Sequence, residues 1–345
     1  MGDCACYSNE LHGDERNLVF AFLELTPACN NRCVGCSNVF ADKRGPAPLN
    51  ARRWIEIIEK LRPHVEFLKL TGGEPTLHPE FEQIVRHISE SGLKFRLLTN
   101  GRWPRKEKLL EFLAGQASVE SLLISLHGAD PPSHEGFTRT PGSFEDAVET
   151  VRLAASAGLK VATSVVITKF NWDKLKTIYE LSLELGADHV AFNRYIGPPL
   201  PEIEPMPWQS VYALEQVQEW IKLGFRVRFG TPIPQCFAKI PAVPCLAGKA
   251  FFTVDPWGNV RPCNHVPIVV GNILTQSVEE ILTSPKMRWW NSMLPSECQG
   301  CALADYCNGG CKAEALLRPS KSYYLKRQPL VVQKDVEIIA TTFPV

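Results

Sequence analysis

The sequence predicts an α/β protein, an open partial (β/α)6 TIM-like barrel followed by a small irregular cysteine-rich C-terminal domain. Three observations carry this expectation. Short apolar runs alternate with amphipathic segments at helical spacing from Leu18 to about Phe225. The stretches after the runs are polar, Gly-rich or Cys-rich. Beyond Gly224 the alternation stops, and prolines and cysteines gather.

The runs are "LVFAFLEL" from Leu18, "EFLKL" from Glu66, "KFRLL" from Lys94, "ESLLISL" from Glu120, "KVATSVVIT" from Lys160 and "DHVAFNRY" from Asp188. Between them, Trp54, Ile55, Ile58 and Leu61 make one helix face after an N-cap at Asn50. Phe81, Ile84, Val85 and Ile88 make a second. Phe144, Ala147, Val148 and Val151 follow a cap at Ser143, and Leu175, Ile178, Leu181 and Leu185 repeat the pattern. Gly92, Gly158 and Gly186 end helices ahead of strands. Repeated strand–helix units imply a parallel sheet with right-handed crossovers. Six are too few to close an eight-stranded barrel, hence the open form. Function in such folds sits on the loops after the strands' carboxyl ends. Here those loops read "TPACNNRCVGC", "TGGEPT", "TNG", "HGAD", "KFN" and "IGPP". The organisation follows: residues 1–17 a leader, 18–225 the partial barrel, 226–318 the cysteine-rich domain, and 319–345 a tail.

The chain has 345 residues, with 37 basic and 37 acidic side chains, so no charge footprint points to nucleic acid or an anionic membrane. No apolar run approaches the roughly 18 residues that span a bilayer. The polar start lacks the apolar stretch of a secretory signal, and a cytoplasmic location is expected. In a reducing compartment its 12 cysteines are metal-binding or catalytic rather than disulfide-forming. Their placement agrees: Cys29, Cys33 and Cys36 share one loop, Cys298, Cys301, Cys307 and Cys311 another segment, with Cys236, Cys245 and Cys263 between. None falls between Cys36 and Cys236.

Three thiolates at C-x3-C-x2-C spacing can converge on one soft metal centre. Structural zinc takes four ligands, and the nearest histidines, His12 and His64, lie well outside the loop. A four-iron cubane held by three cysteines keeps one iron open to an outside ligand. "CNNRCVGC" after the first strand, with "TGGEPT" after the second, resembles the radical S-adenosylmethionine (SAM) superfamily over roughly Leu18 to Phe225. The resemblance implies that the open iron of a 4Fe–4S cluster binds SAM. Its reductive cleavage yields a 5′-deoxyadenosyl radical that takes hydrogen from a substrate. Gly72 and Gly73 then let the backbone approach the ligand, and Glu74 accepts from its ammonium group. By the same resemblance Asn100 lies beside SAM, Ser125 bonds its ribose and Arg139 meets its carboxylate, though Arg139 equally suits a solvated loop.

"CQGCALADYCNGGC", with "CLAGKAFFTVDPWGNVRPCNH" upstream, resembles the SPASM extension of that superfamily, which carries auxiliary iron–sulfur clusters. The resemblance assigns one cluster to Cys236, Cys245, Cys263 and Cys311. A second takes Cys298, Cys301 and Cys307, with its fourth place vacant or filled by a non-cysteine ligand. Asp305, or Cys4 and Cys6, are the other ways to fill it. Enzymes of this architecture mostly modify peptides or proteins, the expected substrate, and take electrons from a flavodoxin or ferredoxin. The alternatives are a tetrapyrrole side-chain decarboxylase and, without catalysis, an iron–sulfur scaffold or electron carrier, which would need no "TGGEPT" loop. His127, His134, Asn193, Arg194 and Tyr195 are candidate substrate-facing groups, none assigned a catalytic role.

Overall fold

The computed structural model describes residues 18–38, 47–241 and 243–318. The expected leader, with Cys4 and Cys6, and the expected tail lie outside the described residues. The six expected strands form and pair in parallel in chain order: β1 (Phe20–Glu24), β2 (Phe67–Thr71), β3 (Lys94–Thr99), β4 (Val119–Ser125), β5 (Val161–Ile167) and β6 (His189–Arg194). Helices α1 (Ala51–Leu61), α2 (Phe81–Glu90), α3 (Lys106–Ala114), α4 (Pro131–Thr138), α5 (Ser143–Ser156), α6 (Leu175–Glu184) and α7 (Pro207–Lys222) lie between and after them.

Alternation along each strand separates two faces. Ala21, Leu23 and Leu25 pack outward into one core with Trp54, Ile57, Ile58 and Leu61 of α1 and Ile84, Val85 and Ile88 of α2. On the inner face Phe20 stacks between Phe67 and Phe251, and the Lys69 ammonium lies 3.8 Å from its ring centre. Asn50 caps α1 as its sequence suggests, its side chain accepting from the Arg53 amide at 3.1 Å. Ser143 is not a cap. Gly142 holds that place at a φ of 78°, and the Ser143 hydroxyl pairs with Thr138 Oγ1 at 2.7 Å. The periodic pattern misses α4 because two prolines and Gly136 mask it; Asp130 starts this helix by accepting from the Ser133 amide at 2.8 Å.

The strand–helix rhythm also continues past the expected boundary at 225/226. Helix α7 leads into β7 (Val227–Phe229), which adds to β6 in parallel. At the other edge β8 (Phe251–Val254) pairs with β1 in parallel, Phe20 opposite Phe251. The antiparallel strands β9 (Asn259–Arg261) and β10 (Gly271–Asn272) follow. One ten-stranded sheet therefore runs through both expected domains, open between β7 and β10. Helices α8 (Val278–Leu282), α9 (Pro285–Ser292), α10 (Ala304–Cys307) and α11 (Lys312–Leu317) complete the cysteine-rich part. Among the described residues no helix is long and apolar enough to cross a membrane.

Candidate functional site

The loop after β1 carries Cys29 and Cys36, both exposed, and the half-buried Cys33 at the carboxyl end of the sheet. Neighbouring loops hold it in place. Arg102, after β3, donates to the Asn30 carbonyl at 2.6 Å, and Asn30 Nδ2 returns a bond to the Arg102 carbonyl at 2.6 Å. The Arg32 amide donates at 3.1 Å both to the Thr138 carbonyl and to Thr140 Oγ1. Arg139, between those two threonines, is exposed and sits at a φ of 54°, uncommon for a residue with a Cβ. Asn100 Nδ2 reaches Cys29 Sγ at 3.7 Å and Asn30 Oδ1 at 2.8 Å. Burial raises the pKa of Cys33, and the nearness of Cys36 and Cys29 raises it further. Burial does the same at Cys29, with Glu74 adding to it.

"TGGEPT" meets this loop edge on. A Cβ on Gly72, at a φ of 141°, would lie 2.6 Å from the Thr26 carbonyl oxygen, and one on Gly73 would lie 2.2 Å from that of Ala28. What the two glycines admit is thus the backbone of the cysteine loop. Gly73 and Glu74 amides donate to Thr26 and Ala28 at 2.7 Å each. Glu74 also differs from expectation. Its carboxylate is fully enclosed and accepts from the Thr76 amide and hydroxyl, Thr99 Oγ1 and the Asn100 amide. Burial raises its pKa while those donors pull it down. It joins the second and third loops from within.

Ser125 ends β4, opposite Ser164 of β5, and Asn193 Nδ2 donates to Ser164 Oγ at 3.1 Å. Sequence reading passed over Ser164, which stands beside Thr163 in an otherwise apolar strand, and Arg102, whose partners come from other loops. The histidines of the fourth loop are interior. His134 Nδ1 accepts from the His127 amide at 3.1 Å and His127 Nδ1 from the Val166 amide at 3.2 Å. Burial lowers the pKa of both, His134 to about 4, so they are neutral packing groups. Arg194 pairs with Glu314, and its Nη2 donates to the Pro232 carbonyl at 2.7 Å. Tyr195 lies on the cysteine loop, its ring within 2.8 Å of where a Cβ of Gly35 would be. Arg318 donates to the Gly197 carbonyl and to Glu204, which ties the end of the cysteine-rich part to this same cover.

The remaining cysteines form two sets, and Cys236 changes set. It stands with Cys307 and Cys301, whose charges raise its pKa after burial does, and Cys298 feels Cys307, Cys236 and Cys301. The Gln235 amide donates to Cys307 Sγ at 3.3 Å. The expected grouping of Cys236 with Cys245, Cys263 and Cys311 is therefore corrected. Cys298, Cys301 and Cys307 have a fourth cysteine, and the three-membered set is Cys245, Cys263 and Cys311, all buried. The reason lies in "CNGGC". Asn308, Gly309 and Gly310 take φ of 52°, 73° and 73°, and Gly310 admits Pro234, whose Cγ lies 2.7 Å from where a Cβ would be, so the chain just before Cys236 packs on the turn after Cys307. Spacing cannot show a contact between residues this far apart.

Among the described residues no three His, Cys, Asp or Glu are placed to hold a single metal ion. Thiolates on one zinc stand about 3.8 Å apart, given a Zn–S bond near 2.3 Å, whereas a cubane spreads its ligands over four irons. Free thiols whose pKa values are raised by burial and by one another fit such a centre, because bound iron offsets the repulsion between thiolates.

Residues 23–182 match the radical SAM superfamily and residues 245–308 the SPASM iron–sulfur cluster-binding domain. The mycofactocin maturase MftC of Mycobacterium tuberculosis is 30% identical over 84% of this chain and 77% of its own length. This chain is a radical SAM enzyme with a SPASM domain. Its cofactors are therefore a 4Fe–4S cluster, SAM and auxiliary iron–sulfur clusters. The AdoMet-dependent heme synthase of Methanosarcina barkeri is 26% identical over 90% of this chain and 95% of its own length. Streptococcus suis SuiB bound to the precursor peptide SuiA shares the fold, with a TM-score of 0.72 at 16% identity over 89% of this chain and 76% of that one.

Proposed function

We propose that this radical SAM enzyme modifies a peptide or protein, with Cys29, Cys33 and Cys36 holding the cluster that binds SAM. The observation that carries this reading is the exposure of Cys29 and Cys36 at the open carboxyl end of the sheet, where a residue on a long chain can reach. The likeness to a maturase and the fold shared with SuiB support it. Once bound, the cluster and SAM supply a 5′-deoxyadenosyl radical that takes hydrogen from the substrate.

The chain's own part is placement. Asn100 fixes Cys29 from the third loop, Arg102 braces Asn30, and Glu74 locks those loops together from beneath. Gly72 and Gly73 bring their backbone against the cysteine loop, where SAM binds. Ser125, the last residue of β4, offers a hydroxyl for the ribose, with Ser164 opposite it on β5. Cys236, Cys298, Cys301 and Cys307 hold one auxiliary cluster, and Cys245, Cys263 and Cys311 the other. A flavodoxin or ferredoxin supplies electrons.

Tetrapyrrole side-chain decarboxylation is the second reading, favoured by the heme synthase aligning over nearly its whole length. One experiment separates the readings. Anaerobically reconstituted enzyme is given dithionite and SAM with peptides encoded near its gene or, in parallel, with haem precursors. Formation of 5′-deoxyadenosine with a mass change in a peptide is the expected result. Loss of carbon dioxide from a haem precursor would replace the peptide reading with the second, and absence of 5′-deoxyadenosine throughout would remove SAM cleavage from both.

A further inference from the structure

With Cys236 placed beside Cys298, Cys301 and Cys307, the set of Cys245, Cys263 and Cys311 has three thiols. We propose that His265 is the fourth protein ligand of the auxiliary cluster at Cys245, Cys263 and Cys311, through its Nδ1.

Nδ1 of His265 is shut off from solvent and has no hydrogen-bond partner among the described residues. An enclosed polar nitrogen left unmatched is costly, and coordination would satisfy it. The ring is also in the right place. The His265 amide donates to the Cys263 thiol, so the chain folds back over that sulfur immediately after it. Arg261 bonds the residues on either side of His265, and Arg194 pairs with Glu314, three residues after Cys311.

The turn that carries His265 is fixed from inside. Arg261 Nη1 donates to the Asn264 carbonyl at 3.0 Å and to the Val266 carbonyl at 2.9 Å, gripping the residues on either side. Its Nη2 pairs with the buried Glu24 of β1, which anchors the grip to the barrel. Nearby oxygen donors are engaged: Glu24 with Arg261, Glu314 with Arg194, and Asp255 with the amides of Trp257 and Asn259.

The inference rests on an auxiliary cluster being held at Cys245, Cys263 and Cys311, so the test reads that separately. The full chain carrying Cys29→Ala, Cys33→Ala and Cys36→Ala is labelled with 15N-histidine, reconstituted anaerobically and reduced. Iron content near eight atoms per chain, as for about two cubanes, establishes both auxiliary clusters. Pulsed electron paramagnetic resonance should then show a directly coordinated 15N on one of them. In the same background His265→Cys should keep the iron, lose the nitrogen coupling and lower that cluster's potential, because thiolate in place of imidazole favours the oxidised state. Eight irons without nitrogen coupling, or coupling that persists in His265→Cys, would overturn the assignment to His265. Iron near four would remove the underlying cluster and the inference with it.

Discussion

The two thiol-rich regions are built differently. The Cys29–Cys36 loop is the continuation of a buried parallel strand, and its backbone is bonded to the loops after β2 and β3 and to the end of α4. Among the described residues the region from 230 to 250 contains no helix or longer strand, and its cysteines meet Cys263, Cys298, Cys301, Cys307 and Cys311 from short, separate pieces. The first loop is placed by the sheet and then takes a cluster. The second region joins the apolar core through Phe252, Val254, Val260, Ile273 and Trp290, but its cysteines sit on segments with little regular structure of their own, where bound metal adds most to folding. Position decides exposure too: Cys29 and Cys36 are exposed, while Cys245, Cys263, Cys298, Cys307 and Cys311 are buried.

Iron removal should draw the contrast most sharply. A structural metal site contributes free energy on the order of 10 kcal/mol to folding. Replacing Cys245, Cys263 and Cys311 by Ala should therefore open the segment from 230 to 318 to protease and speed its amide exchange. Replacing Cys29, Cys33 and Cys36 should leave exchange in the sheet unchanged. Equal protection of the two regions in both variants would break the comparison.

A smaller effect probes how the first loop is held. Gly73→Ala would force a Cβ to 2.2 Å from the Ala28 carbonyl oxygen, and backbone on both sides must give. Overpacking of this kind costs about 1–3 kcal/mol. The variant should lose roughly ten- to a hundredfold in SAM affinity by calorimetry while the auxiliary clusters keep their spectra. Wild-type affinity would show that the two loops need no such close fit.

The smallest effect follows from protonation. His134 is held neutral, its pKa lowered by burial from 6.5 to about 4. The stability this supplies is fully present above pH 6.5 and is lost as pH falls toward 4, because the unfolded chain binds the proton first. Denaturation at pH 7.5 and pH 6 should show a loss of under about 1 kcal/mol from this group. The loss should shrink in His134→Gln, which keeps an acceptor for the His127 amide. An identical pH dependence in the two proteins would discount His134.

Sequence by itself determined the strands, the site loops and the kinds of cofactor, because each is written in neighbouring residues. Alternating apolar runs mark parallel strands, and C-x3-C-x2-C brings three thiols onto one loop whatever the rest of the chain does. Helix α4 stayed hidden because its local signals, two prolines and a glycine, oppose the helix that Asp130 and the packing of Phe137 enforce. Tertiary structure alone decided the direction in which groups face. Glu74 turned inward because donors from the third loop meet it beneath the surface. Gly72 and Gly73 proved to face another backbone. Cys236 joined Cys298, Cys301 and Cys307 because Pro234 packs against Gly310 and the Gln235 amide bonds the Cys307 thiol, contacts between residues more than seventy apart in the chain. The sheet also crosses 225/226, since β7 and β8 continue it at the two edges of the six-stranded set. Spacing along a chain limits how far apart two groups can be, but partners distant in sequence decide which way each one points.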